Sequence, residues 1–191
     1  MKKSLLSIAL CLCASVYAQK DSFSLDDAIL ARWSKFAPDR ISGLQWVKNS
    51  NNFCYNEGTD LVIENLDGTK EIVELGTLNT HLGEDSLKRF PRLNWLSEYS
   101  FRFTHHNNYY RFNKSTGEFS KLLSYNENAA NSEFSEKANA LAYTIENNLF
   151  IEGSNGKTHQ ITNNLDADIV NGQAVHRYEF GVYKGTFWSN S

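Results

Sequence analysis

The sequence is poor in the residues that cross-link or punctuate a chain. Of 191 residues, two are proline, one is methionine and three are cysteine. Cys11 and Cys13 lie in the apolar stretch at the N-terminus, which leaves Cys54 alone beyond it. One cysteine closes no internal disulfide, so the body must be held by packing and hydrogen bonds. Cys54 stands between Phe53 and Tyr55 in a strand-like run, which suits a small buried residue better than a catalytic thiol. An excess of positive charge is also missing: 19 Lys and Arg face 22 Asp and Glu, a formal net charge of −3. That argues against a nucleic-acid partner, where a basic surface is required. No apolar run is long enough to span a bilayer. No Gly-x-Ser-x-Gly elbow, His-Glu-x-x-His zinc motif or phosphate loop is present. No catalytic residue, metal site or cofactor is therefore assigned.

The N-terminus reads as an export signal. Lys2 and Lys3 precede a mostly apolar run from Leu5 to Val16, and Val16-Tyr17-Ala18 offers a cleavage site before Gln19. Neither Cys11 nor Cys13 sits in a Leu-x-Gly/Ala-Cys lipobox. Residues 1–18 are expected to be a signal peptide and 19–191 the mature body, in the periplasm or outside the cell. Cleavage removes two lysines and leaves the body more acidic still.

What the chain does have is aromatics, with 12 Phe, 9 Tyr and 4 Trp, and asparagine in short runs at 49–52, 107–108, 147–148 and 163–164. Aromatic-rich strands between Asn and Gly turns predict an all-β protein. Two short helices interrupt it. Ser24 and Asp27 form a capping box ahead of Leu25, Ala28, Ile29 and Trp33 at helical spacing. A second is expected over Leu82–Lys88, closed by Pro91.

The strands repeat. Leu44-Gln45-Trp46, Leu93-Asn94-Trp95 and Ser132-Glu133-Phe134 each open a unit, and each unit then runs through three further short strands. The aromatic openers Trp46, Trp95, Phe134 and Trp188 are spaced by about 40–50 residues, the length of a propeller blade. A twisted four-stranded sheet with two apolar faces must bury both, and stacking around an axis does so. The expected fold is a partial β-propeller of about three four-stranded blades plus the start of a fourth, with a short N-terminal helix and a short helical insert. A β-sandwich is the alternative the pattern leaves open. Closed propellers use four to eight blades, so the chain reads as the front of something longer, with the faces of its terminal blades exposed.

Among the polar residues, His105 and His106 are adjacent in a strand-like run and would point to opposite faces, a poor start for a metal site. Asp166-Ala167-Asp168 suits a turn better than calcium, since no dense oxygen-ligand loop follows. The stretch from Asn171 to Ser191 breaks the blade rhythm. Glu179 within it could hold a cationic group by a charge-assisted hydrogen bond, or be an ordinary surface glutamate.

Three stretches carry a family resemblance: Leu25-Asp26-Asp27 through Trp33; Gly43-Leu44-Gln45-Trp46; and Val175-His176-Arg177-Tyr178-Glu179-Phe180-Gly181 with Phe187-Trp188-Ser189. The chain resembles the N-terminal propeller region of dipeptidyl peptidase IV-like enzymes of the prolyl oligopeptidase superfamily, especially their secreted bacterial branch. The resemblance implies an eight-bladed propeller followed by an α/β-hydrolase domain that carries the catalytic Ser, Asp and His. That domain is absent from these residues, so the chain alone is expected to be inactive. The resemblance further implies a helical insert with two glutamates that bind the substrate's amino terminus. The second falls on Glu179. The first falls on Tyr178, whose hydroxyl hydrogen-bonds but supplies no charge near neutral pH. An arginine that holds a substrate carbonyl is implied near Arg102–Tyr110, and no residue there matches it. The implied partners are a peptide's amino terminus, the missing hydrolase domain and, in the full-length enzyme, a second copy as homodimer. The alternative is a secreted, non-catalytic propeller module that binds peptides or another protein.

Overall fold

The computed structural model describes residues 24–38, 40–174, 179–182 and 184–189. The expected signal peptide lies outside them, as does Tyr178. The chain divides into two compact units, residues 1–40 and 41–191.

In the first unit the capping box forms as the sequence predicts. Helix α1 spans Leu25–Ile29. The Asp27 N–H donates to Ser24 Oγ at 3.0 Å, and the Asp27 carboxylate accepts from the Ser24 hydroxyl at 2.8 Å. These bonds from Ser24 hold the Asp27 carboxyl below its ordinary pKa.

The second unit holds three four-stranded antiparallel sheets, each a simple meander. The first contains β1 (Ser42–Trp46), β2 (Asn52–Glu57), β3 (Asp60–Asn65) and β4 (Lys70–Val73). The second contains β5 (Leu93–Trp95), β6 (Ser100–His105), β7 (Asn108–Asn113) and β8 (Phe119–Ser124). The third contains β9 (Ala130–Ser135), β10 (Ala140–Ile145), β11 (Asn148–Gly153) and β12 (Thr158–Gln160). The asparagine runs supply the turns. Between β10 and β11 only Glu146 and Asn147 intervene, at φ of 47° and 64°. That is the left-handed pair a two-residue hairpin needs to match strand twist, and asparagine tolerates it well.

Period-two alternation sends the side chains of β6 and β7 to two different neighbours. Phe101, Phe103, Tyr110 and Phe112 join Cys54, Leu61 and Ile63 of the first sheet in one buried cluster. Tyr109, on the other face, joins Leu141 and Tyr143 of the third sheet, with Phe134 packed alongside. The sheets therefore stack face to face in chain order, as the three blades of a partial propeller, and the sandwich alternative falls away. The openers tie each blade to the one before. Trp95 donates its indole N–H to Cys54 Sγ at 3.3 Å, and Trp188 donates to the Glu133 carbonyl at 3.0 Å. Cys54 is fully buried, and that burial pushes its thiol pKa up against the pull of the Trp95 bond. Trp46, which opens the first blade, is 65% exposed.

The helix between the first two blades lies earlier than expected. Helix α2 spans Leu75–Leu82, followed by a 3-10 turn at Gly83–Asp85, where the sequence reading placed a helix over Leu82–Lys88. Leu75 and Leu78 are buried at helical spacing, and the Leu75 N–H finds an acceptor in Asp60 Oδ1 at 3.0 Å. Gly83, at φ 61°, ends the helix. Asn79 then clamps the following segment by accepting from the Leu87 N–H at 2.7 Å and donating to the Leu87 carbonyl at 3.0 Å.

The histidine pair also differs from its expected placement. His106 sits in the β6–β7 turn at φ 47°, so the strand alternation does not separate the two rings. Their centroids lie 4.2 Å apart, and His105 Nε2 donates to the Asp85 carbonyl at 2.6 Å. Asp166 is the turn residue the sequence suggested, with its Oδ1 accepting from the Asp168 N–H at 2.9 Å. Among the described residues, no helix is long and apolar enough to cross a membrane.

Candidate functional site

The stretch that carries Glu179 leaves the third blade and returns to it at one point. The backbones of Gln173 and Gly185 approach so closely that a Cβ on Gly185 would lie 2.2 Å from the Gln173 carbonyl oxygen. Only glycine fits there. Gln173 and Gly185 thus form a closed neck, and Glu179–Val182 lie between them in the sequence.

Both sides of the neck are pinned to the blade. On the outgoing side, the Asn171 backbone N–H and Nδ2 donate to the Asn147 carbonyl at 2.9 and 3.0 Å. Gln173 Nε2 donates to Asn147 Oδ1 at 3.1 Å. The left-handed turn between β10 and β11 is what aims Asn147 at this segment. On the returning side everything converges on Glu133 of β9. Lys184 Nζ pairs with its Oε1, the Thr186 hydroxyl donates to its Oε2 at 3.1 Å, and Trp188 donates to its carbonyl. Hydrogen bonds to an ionised carboxylate are the stronger kind, so Glu133 acts as the loop's main anchor.

At the far side of the loop, Glu179–Val182 form a turn. The Val182 N–H donates to the Glu179 carbonyl at 3.0 Å, and Phe180 and Gly181 take φ of 53° and 74°. Glu179 is exposed, and Phe180 beside it is 89% exposed. The turn therefore presents a carboxylate and an aromatic side by side.

Arg102, in the region where a carbonyl-binding arginine is implied, is committed to the seam between the second and third blades. Its guanidinium lies over Phe134, 4.1 Å from the ring centroid, and 5.2 Å from that of Tyr109. Glu136 Oε1 is 2.9 Å from Nη1. It lies off the N–H direction, however, so Nη1 gains electrostatic pairing without a well-formed hydrogen bond. Burial holds the Arg102 guanidinium below its ordinary pKa, against the pull of Glu136 and Tyr109. Arg111, the other arginine of that region, is exposed on β7. Among the described residues, no group of three or more His, Cys, Asp or Glu could hold a metal ion.

Residues 88–191 match the sequence family described as the dipeptidyl peptidase IV (DPP IV) N-terminal region. The chain belongs to this family. Its fold agrees. A Bacteroides ovatus protein assigned as a dipeptidyl aminopeptidase IV superposes with a TM-score of 0.67 at 26% identity, over 79% of this chain and 21% of that one. Porphyromonas gingivalis dipeptidyl peptidase 4 matches at 18% identity with a TM-score of 0.48, over 85% of this chain and 25% of that one. The chain spans about a fifth of the Bacteroides ovatus protein and corresponds to the N-terminal, non-catalytic region of a DPP IV-like protein.

Within this DPP IV N-terminal region the sequence reading reached Glu179 through its motif. It missed the residues that hold the loop, namely Asn147, Glu133 and Gly185. Asn147 is legible as a turn residue and Gly185 as the glycine before the Thr-Phe-Trp that opens the next unit, but neither is marked as holding the loop. Exchange of Gly185 for alanine is expected to force the neck open. Stability in a urea melt should fall by about 2 kcal/mol, and limited proteolysis should cut within residues 174–184 faster than in the parent. An unchanged melt and cleavage pattern would show that the neck is not closed in solution.

Proposed function

We propose that this DPP IV N-terminal region recognises the free amino terminus of a peptide, as the propeller portion of an exported serine peptidase of the DPP IV type. The observation that supports this reading most is the pinned loop, which sets Glu179 on an exposed turn while its neck is fixed to the third blade. A carboxylate held this way accepts charge-assisted hydrogen bonds from an ammonium group at little further entropic cost. Tyr178 joins the reading on sequence grounds, as a neutral hydrogen-bonding neighbour where the family carries the first of its two glutamates. With one anion in place of two, capture of the amine is weaker and selection for dipeptide release is looser. Hydrolysis of the bond two residues from the amino terminus, after Pro or Ala, would fall to an α/β-hydrolase domain outside this chain. Residues 1–18 would direct export to the periplasm or beyond, and the mature region would begin at Gln19. The Tyr178 departure also favours a second reading, a secreted binding module without a catalytic partner.

Calorimetric titration with a Gly-Pro peptide and its acetylated twin tests the proposal. The free amine is expected to bind about tenfold more tightly, and Glu179→Gln should remove that preference while leaving the weak binding of the acetylated form. Equal affinities in the parent would exclude amine recognition. The chain alone should also show no turnover of a Gly-Pro chromogenic substrate; turnover that survives further purification would contradict the assignment of catalysis elsewhere.

A further inference from the structure

Where the first and second blades meet, two open cavities of about 480 and 370 Å³ adjoin, with Gln45, Arg92 and Leu93 lining both. Arg89 lines the first and Arg102 the second. Among the described residues, no Asp or Glu lines either one, although acids outnumber Lys and Arg in the chain as a whole. Arg102 already has Glu136 for company. Arg89 and Arg92 are exposed, and among the described residues neither pairs with a carboxylate. Two guanidinium groups in a cleft with no described carboxylate in its lining make a local positive field that selects for anions.

The walls indicate which anion-bearing ligand fits. β1 and β5 are both edge strands of their sheets, so each offers unpaired backbone N–H and C=O groups along the cleft. An extended peptide can pair with such an edge. Amide side chains from Gln45, Asn56 and Asn94 add neutral donors and acceptors. The arginine fork matches a planar carboxylate through two parallel hydrogen bonds. We infer that this cleft binds an extended peptide segment through an acidic side chain held by Arg89 and Arg92. The inference shares with the amine-recognition reading only the peptide nature of the ligand, and it does not involve Glu179.

Fluorescence anisotropy with a dye-labelled, amino-terminally acetylated peptide of alternating Glu and Thr tests it. The acetyl group removes the amine, so the outcome is independent of Glu179. The intact protein should bind this peptide at low ionic strength, and at least about tenfold more tightly than a twin with Gln in place of Glu. Arg92→Gln should weaken binding about tenfold, Arg89→Gln with Arg92→Gln should weaken it further, and Lys121→Gln on the exposed side of β8 should leave it unchanged. Circular dichroism melts establish that each variant is folded, and the comparison of the two peptides needs no variant. Equal binding of the two peptides, no binding of either, or undiminished binding by the double variant would overturn the inference. Displacement by equimolar inorganic phosphate would also overturn it, by showing a simple phosphate site.

Discussion

Replacing Phe101 by alanine is expected to lower the stability of the propeller unit by about 3–5 kcal/mol. Phe101 is fully buried on β6. It meets the edge of Trp95 at 5.2 Å between centroids and also packs against Phe103 and Phe112. Removing the ring leaves a cavity walled by strands whose positions are fixed on both sides by backbone ladders, so collapse can refill little of it. The loss also loosens Trp95, whose indole ties the second blade to Cys54 of the first. Since single domains are stable by about 5–15 kcal/mol, this one change removes much of the margin. A urea melt of the parent and variant measures it. Phe187→Ala, at a ring 75% exposed, serves as the comparison and should cost under about 0.5 kcal/mol. A Phe101→Ala loss as small as that of Phe187→Ala would mean that the first two blades do not pack as described.

The second large effect is an asymmetry at the other seam. Glu136→Ala should destabilise by about 2–3 kcal/mol, because it leaves the Arg102 guanidinium buried without a counter-charge. The low end of the usual range applies because Glu136 itself is half exposed, and the Phe134 and Tyr109 rings still face the cation. Arg102→Met should cost less, about 1 kcal/mol. A thioether chain keeps the packing between the two rings and removes the buried charge altogether. The ordering is the test. If Arg102→Met proves the more damaging of the two, Arg102 is contributing more than a paired charge at a blade seam.

The features legible in the sequence were those written in local periodicity. Trp46 and Trp95 each fall on the first strand of a blade, and Trp95 carries the contact back to Cys54 of the preceding one. The Asn147-Asn148 run marks a hairpin, because left-handed backbone restricts the residue types allowed. Ser24 and Asp27 formed their box because a cap involves only neighbours in sequence. Features that depend on distant partners were not legible. Helix α2 starts earlier than the sequence suggests because its first N–H is taken up by Asp60 of β3, and Asn79 gripping Leu87 holds the stretch expected to be helical outside it. Strand alternation puts His105 and His106 on opposite faces, but it stops at His106, where the hairpin turns. Glu133 looked like any strand-edge carboxylate. Its three bonds come from residues 184–188, about fifty positions along the chain, and no spacing rule joins them. The same holds for the arginine cleft, which exists only because the β1 edge and the segment leading into β5 lie side by side.

Amine capture at the pinned turn is tested most directly by a backbone amide chemical-shift map of the intact protein during titration with a free-amine Gly-Pro peptide and, separately, its acetylated twin. The free-amine peptide should shift the amides of Glu179, Phe180, Gly181 and Val182 most, and the acetylated peptide should leave them in place. Shifts of equal size from both peptides, or shifts centred away from this turn, would contradict the assignment of Glu179 to the substrate's amino terminus.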